Sequence, residues 1–342
     1  MVSLCSRWRT PQRRKIPAFL SIDVEPEGFQ LSRGDSPEWN GYDAAIELAE
    51  QLRSDLARRV DATARFGWYF RMDPQIAEVY GRSDHVFAQC PDRVARLRAK
   101  GDYFGVHAHP LRWCSRRGQW IHDVDDAAWL ADCTRFALDA FAQWDGCPAR
   151  RFRAGAGFLA NEIVEVLEQR GVEVDLSLEP VAGWWLTASD VATAVDTSPI
   201  VGAYADTRTA PRVAYRPSHR DFRVSGGRRG RRLVLVPLTT HAEIPERPAW
   251  WRRARHTAPA PAPEARMLYP SVEWPSPEFY WNLVERQLQA MRRPYLSLAI
   301  RTDAVDSDSM MHARRQLAAL PQHPLAERLS FVDPLDIAPG LV

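Results

Sequence analysis

The sequence predicts an α/β fold built on a mostly parallel sheet, open or closed into a barrel. Three observations carry this. Short apolar runs alternate with amphipathic segments of helical period along most of the 342 residues, the pattern of repeated strand and helix crossovers. Turn residues separate the segments, and no internal repeat is visible. Polar residues cluster just after the strand ends, where parallel α/β folds place their active sites.

The elements follow in order. IPAFLSIDV (16–24) reads as a first strand and runs into an acidic, turn-rich segment from Glu25 to Gly34. A helix is expected from Asp43 to Arg58, where Ala45, Leu48, Ala49, Leu52 and Leu56 recur near helical spacing. ATARFGWYF (62–70) is a second strand. Pro91 to Lys100 is a helix closed by Gly101, and DYFGVHAH (102–109) is a third strand. Asp125 to Trp144 is a long amphipathic helix. RRFRAGAGF (150–158) reads as a short strand and a Gly-rich turn, followed by a helix from Asn161 to Arg170 and the strand VEVDLSL (172–178). RRLVLVPLTT (231–240) is a buried strand. A Pro/Ala-rich stretch makes an insertion loop at about 245–270. Ser276 to Met291 is a helix with Pro277 in its first turn. PYLSLAI (294–300) is a strand, Ser307 to Leu320 a helix and RLSFVD (328–333) a last strand. One domain over 16–342, preceded by a basic arm over 1–15, is the expected organisation.

Bulk properties exclude several classes. The net charge is +2, which provides no global field for nucleic acid or anionic membrane. All but two of the 45 basic residues are arginine, the exceptions being Lys15 and Lys100. The cysteines, Cys5, Cys90, Cys114, Cys133 and Cys147, are odd in number, widely spaced and free of any CxxC. They fit reduced thiols better than a disulfide framework. The N-terminus lacks an apolar signal region, and no apolar run reaches the ~20 residues of a membrane helix. A cytoplasmic setting is expected.

Three stretches carry chemistry. In SIDVEPEG (21–28), Asp23 and Glu25 share one face of an extended backbone. Two neighbouring carboxylates at a strand end require a cation or hydrogen bonds to hold them. One can bind a metal while the other acts as a base. In GVHAHP, His107 and His109 also share a face and can converge on one ion, with Asp102 and Arg112 as flanking supports. The competing reading is a pair of hydrogen-bonded structural histidines. In FRAGAGF (152–158), Arg153 precedes small residues that permit close approach. Beside Asp23 and Glu25 its fork would fix their orientation.

Weaker signals lie elsewhere. Arg216, His219 and Asp221 cluster in YRPSHRDF, and His241 follows a buried strand. Either histidine could supply an acid. Thirteen tryptophans, among them Trp113, Trp184, Trp185, Trp250 and Trp251, offer faces for sugar rings or core packing.

Taken in order, SIDVEP, GVHAHP, FRAGAGF with the following helix and VEVDLSL, LVLVPLTT and LSLAIRTD resemble the polysaccharide deacetylase (NodB-homology) family of carbohydrate esterases, over roughly residues 16–335. The resemblance implies a distorted (β/α) barrel, usually seven-stranded. It also implies a divalent metal, with zinc expected, and removal of acetyl from an N-acetylated sugar; the expected cytoplasmic setting makes a precursor in surface polysaccharide or lipopolysaccharide biosynthesis the expected substrate. It maps the general base onto Asp23 and the orienting arginine onto Arg153. The metal carboxylate falls on Glu25, because Val24 occupies the usual second Asp. The residue four beyond His107 is Leu111, so His109 must replace the usual second histidine. The position of the usual acid histidine holds Arg301, and arginine cannot give up its proton. His241 or His219 would then serve as the acid, with Trp113, Arg216, His219 and Arg301 contacting substrate. Two alternatives stay open: a carbohydrate-binding or scaffolding homologue that has lost catalysis, and a metal-dependent amidase on a non-sugar substrate.

Overall fold

The computed structural model describes residues 15–28, 31–34, 36–155, 158–180, 200–203, 205–243, 264–303 and 308–342. The basic arm, apart from Lys15, and most of the expected insertion loop lie outside the described residues, as do Trp184, Trp185, Trp250 and Trp251.

The first half of the chain alternates strands with helices, interrupted by one hairpin. Strand β1 (Ile16–Val24) leads to helix α1 (Asn40–Val60), β2 (Gly67–Arg71), the short helices α2 (Pro74–Tyr80), α3 (His85–Gln89) and α4 (Pro91–Ala99), then β3 (Tyr103–Ala108). A hairpin of β4 (Leu111–Cys114) and β5 (Gln119–Asp123) precedes α5 (Ala127–Asp145), β6 (Arg151–Ala154) and α6 (Asn161–Gln169). Then come β7 (Val174–Asp175), β8 (Ile200–Val201), β9 (Val234–Leu235) and the antiparallel pair β10 (Thr240–Glu243) and β11 (Glu264–Met267). Helix α7 (Pro277–Ala290), β12 (Leu296–Arg301), α8 (Asp308–Ala319), β13 (Leu329–Phe331) and α9 (Pro334–Leu341) close the chain.

Seven parallel strands form a curled sheet in the order β12-β1-β2-β3-β6-β7-β9, and β13 adds to the start of β1. The two ends of this order approach each other. Thr239, just past β9, donates its N–H to the Ser297 carbonyl of β12 at 2.9 Å, and its hydroxyl accepts the Ser297 N–H at 2.9 Å. Helices pack around the outside, so this is the expected distorted (β/α) barrel. Among the described residues no helix is long and apolar enough to cross a membrane.

The period of two along each strand divides the core in two. Leu20, Ile22 and Val24 of β1 face the helices with Leu48, Ala49 and Leu52 of α1. Phe19, Tyr69, Tyr103, Val174, Val234 and Tyr295 fill the barrel interior. Gly105 makes room there: a Cβ on it would stand 2.6 Å from the Tyr69 ring. Above this apolar floor the same inward rows turn polar, through Asp23, Arg71, His107, Arg153 and Arg301.

Several boundaries differ from the sequence reading. Residues 62–66 are not strand: Arg65 donates its N–H to Phe331 and Phe66 donates to the Asp102 carboxylate. The runs 172–178 and 231–240 contain the two-residue strands β7 and β9, with Thr240 already opening β10. Beyond β7 the chain leaves the regular ladder where the Asp175 carboxylate accepts the N–H and hydroxyl of Ser177. Helices α2 and α3 and the β4–β5 hairpin were not anticipated; each is shorter than the windows in which periodicity is readable.

Candidate metal centre

The parallel register assembles the site. Asp23 is in register with Arg301 of β12 and with Tyr69 of β2, so Glu25, two residues on, comes level with Arg71. Arg71 is in register with His107, and His107 with Arg153. One layer at the carboxyl ends of four adjacent strands therefore carries a carboxylate, an imidazole and two guanidiniums.

Within this layer Glu25, His107 and His109, all buried, bring their ligand atoms within 4.8 Å of one another. His107 Nε2 is 3.4 Å from Glu25 Oε1, His109 Nε2 is 3.0 Å from Glu25 Oε2, and the two Nε2 atoms are 3.1 Å apart. Three ligands about 2.0–2.2 Å from one tetrahedral ion stand roughly 3.3–3.6 Å from each other. The chemistry of the donors agrees. His107 Nδ1 lies 2.8 Å from the Arg153 carbonyl, an acceptor, which puts the proton on Nδ1 and leaves the Nε2 lone pair facing Glu25. Burial, then the nearby Arg71 charge, pushes His109 down to about 4, so it is the neutral imidazole that binds metals. Burial alone would raise the Glu25 carboxyl, but His109 in its protonated form and the Arg301 guanidinium beside it outweigh this and hold it well below the usual range. An ionised carboxylate and two inward lone pairs fit a divalent cation.

Each ligand is fixed from behind. The Glu25 N–H donates to Thr302 Oγ1 at 2.8 Å, and that hydroxyl donates back to the Glu25 carbonyl at 2.8 Å. Asp73 caps α2 through Gln75 N and also accepts the His109 N–H at 3.0 Å and Arg71 Nε at 2.8 Å. The Cys133 thiol donates to the His109 carbonyl at 3.2 Å. Gly155 leaves the space the His109 ring occupies: a Cβ there would fall 2.2 Å from its Cδ2.

Asp23 lies beside this set, with Oδ1 3.7 Å from His107 Nδ1. Arg153 Nε lies 2.9 and 2.8 Å from its two oxygens, and Arg153 Nη1 donates to the Leu176 carbonyl at 2.7 Å. Arg301 Nε is 3.5 Å from Glu25 Oε1, and its fork pairs with Asp303. Its side chain is 40% exposed, whereas those of Asp23, Glu25, His107, His109 and Arg153 are at most 4% exposed. Among these side chains Arg301 is thus the one that meets solvent.

No protein-family model and no curated protein matches the chain. Among solved structures, a protein described as a glycoside hydrolase/deacetylase from Parabacteroides distasonis superposes with a TM-score of 0.54 at 13% identity, covering 94% of this chain and 70% of that one. This is the deacetylase fold. A protein described as a polysaccharide deacetylase from Mycobacterium smegmatis gives 0.48 at 12% identity, over 97% and 92% of the two chains. A family 4 carbohydrate esterase pseudoenzyme from Bacillus anthracis gives 0.37 at 8%, over 94% and 68%.

Of the residues singled out in the sequence, the deacetylase fold brings together Asp23, Glu25, His107, His109, Arg153 and Arg301. Trp113 lies on the hairpin that leaves His109, packed edge-on to Trp120 at 5.4 Å with the Arg33 guanidinium 4.3 Å over its ring. Arg216 is not brought in. It lines a cavity of about 500 Å³ with Glu168, Glu173, Arg232 and Leu335 at the amino ends of β7 and β9, the opposite end of the sheet. The exposed His219 lies near it, where its carbonyl accepts from Arg231 and it faces Glu168. His241 is on β10, across from Arg266. Asp102 sits before β3, bound to Arg53 and Trp68, and Arg112 pairs with Asp123 and Asp126, so neither supports the histidines.

Sequence reasoning missed Arg71, Asp73 and Thr302, while Gly155 is one of the small residues of FRAGAGF that it read as permitting close approach. Asp73 was legible as a cap before Pro74. Arg71 continues the inward row of Tyr69 and Thr302 follows Arg301 at the end of β12, where only the register shows what each meets.

Proposed function

We propose that this chain is a metal-dependent hydrolase that removes the acetyl group from an N-acetylated amino sugar, with zinc as the metal and a precursor of surface polysaccharide or lipopolysaccharide as the setting. The observation that carries the reading is the convergence of Glu25, His107 and His109 beside the Asp23–Arg153 pair. A divalent ion held by these three residues supplies an electrophile for the acetamide carbonyl and lowers the pKa of a water. Asp23, with Arg153 bridging both its oxygens, is aimed to take the attacking water's proton. The Arg153 carbonyl keeps His107 in the ligand tautomer. Arg301, partly exposed and beside Glu25, offers a fixed positive charge to the oxyanion that develops on the carbonyl oxygen.

The test is metal content by elemental mass spectrometry, beside a His107→Ala, His109→Ala double variant, with acetate release from acetylated amino sugars. Near-stoichiometric metal lost in the double variant, and acetate release abolished by a chelator and restored by zinc, are expected. A protein that takes up no metal after incubation with zinc would sink the reading. One observation favours a second reading, sugar binding without turnover: the fork of Arg301 is already paired with Asp303 where an acid is needed. Metal binding with retained sugar affinity but no acetate release from any amide selects it.

A further inference from the structure

Amide hydrolysis needs a proton at the departing nitrogen, because an amine leaves and an amide anion does not. Arg301 keeps its proton, His219 is at the other end of the sheet, and His241 is on β10 opposite Arg266. Glu179 is nearer. It follows β7 by four residues, and its backbone carbonyl accepts the Thr207 hydroxyl at 2.6 Å. Its Oε1 lies 3.8 Å from Arg153 Nη2 and accepts the Tyr269 hydroxyl. The side chain is 11% exposed, and the carboxyl lies within the field of Asp23 and of Arg301. Burial raises this carboxyl above the usual range against the pull of Arg153, and burial raises the Tyr269 hydroxyl as well.

We propose that Glu179, backed by Tyr269, is the general acid that protonates the departing nitrogen; this rests on the deacetylase reading above. Arg153 then joins base and acid, with Asp23 at its Nε and Glu179 at its Nη2. A bond forms from the water oxygen to the carbonyl carbon, and Asp23 gains the water's proton. Once Asp23 is neutral, the Arg153 charge is left to Glu179, which favours its carboxylate and release of its proton. The C–N bond breaks as the nitrogen takes that proton, giving acetic acid and the amine, between which the water's second proton passes to leave acetate and the ammonium form. Return of the proton from Asp23 to Glu179 through solvent closes the cycle.

The experiment compares two substrates in the zinc-loaded protein. An N-acetylglucosamine oligosaccharide needs an acid for its leaving group; 4-nitrophenyl acetate does not, since 4-nitrophenolate leaves unprotonated. Glu179→Gln is expected to lose about 10²–10⁴-fold on the amide but less than about tenfold on the ester, with metal content retained. Glu179→Asp, which keeps a carboxyl with a shorter reach, is expected to regain part of the amide rate. Tyr269→Phe, the variant to use if Glu179→Gln fails to fold, should show the same split in smaller measure. Equal losses on both substrates, or none on the amide, overturn Glu179 as the acid and leave the deacetylase reading standing. A wild-type protein that binds zinc and cleaves neither substrate overturns both.

Discussion

Gly155→Ala puts a single methyl group in the place of the His109 ring. The added Cβ would lie 2.2 Å from Cδ2, 2.3 Å from Nε2 and 2.4 Å from Cγ of that ring. Carbon atoms in contact stand about 3.5 Å apart, so the ring must withdraw by more than an ångström. Metal–ligand distances tolerate about 0.2 Å. The backbone cannot follow the ring, because the His109 N–H is held by Asp73 and its carbonyl by Cys133. The ring must therefore turn out of the ligand position. Changes to groups that merely orient a ligand already cost about 10–100-fold in metal affinity, and losing a ligand should cost at least that. Folding should suffer less, by about 1–3 kcal/mol for one overpacked methyl. Zinc affinity is measured by competition with a chromophoric chelator, in wild type, Gly155→Ala, His109→Ala and the double variant. Gly155→Ala should add almost nothing once His109 is gone. Wild-type zinc affinity in Gly155→Ala, or a further large loss in the double variant, would refute the reasoning.

Two other outcomes are expected. Arg71 is almost fully buried and pairs with Asp73, so Arg71→Met leaves a buried carboxylate without its cation and should destabilise the fold by about 3–5 kcal/mol; a melting temperature within a degree of wild type would contradict the pairing. Burial, against hydrogen bonds from Ser177, raises Asp175 to about 6. The folded state thus holds a proton that the unfolded chain, with a carboxyl near 3.9, gives up earlier. This contribution is full below about pH 4 and is lost as pH rises through about 6, amounting to roughly 3 kcal/mol at 1.36 kcal/mol per unit. Denaturant titrations at several pH values should show Asp175→Asn flattening that part of the stability profile, and an unchanged profile would place the proton elsewhere.

Much of this was legible because strand periodicity is strict. Once IPAFLSIDV is a strand, Asp23 and Glu25 must share a face, and the same holds for His107 and His109. Their common face then depended on the parallel order of β1, β2, β3 and β6, which strand and helix alternation implied. Legibility failed where function is shared between strands. Arg71 looks like any strand-end arginine until the register sets it between Glu25 and His107. Glu179 follows a two-residue strand and acquires meaning from Tyr269, ninety positions on. Arg216 and His219 failed for the opposite reason: a polar cluster is visible in sequence, but the end of the sheet it occupies is not.

The charges around Glu25 indicate how a site with one carboxylate ligand can hold a dication and still favour an anionic transition state. Asp23, Glu25, Asp73 and Asp303 supply four carboxylates, and Arg71, Arg153 and Arg301 three guanidiniums. Two of those arginines bring their own partners, Arg71 with Asp73 and Arg301 with Asp303. Both nevertheless approach Glu25 to 3.5 Å. The cluster alone is one charge negative, which attracts a metal; with a divalent ion added it becomes one charge positive. A neutral acetamide gains little from that excess, whereas an oxyanion gains a great deal in a poorly solvated site. If the excess matters, Arg301→Gln should leave zinc bound, or bind it more tightly, while slowing acetate release. A variant that loses both together would mean that Arg301 only props Glu25 in place.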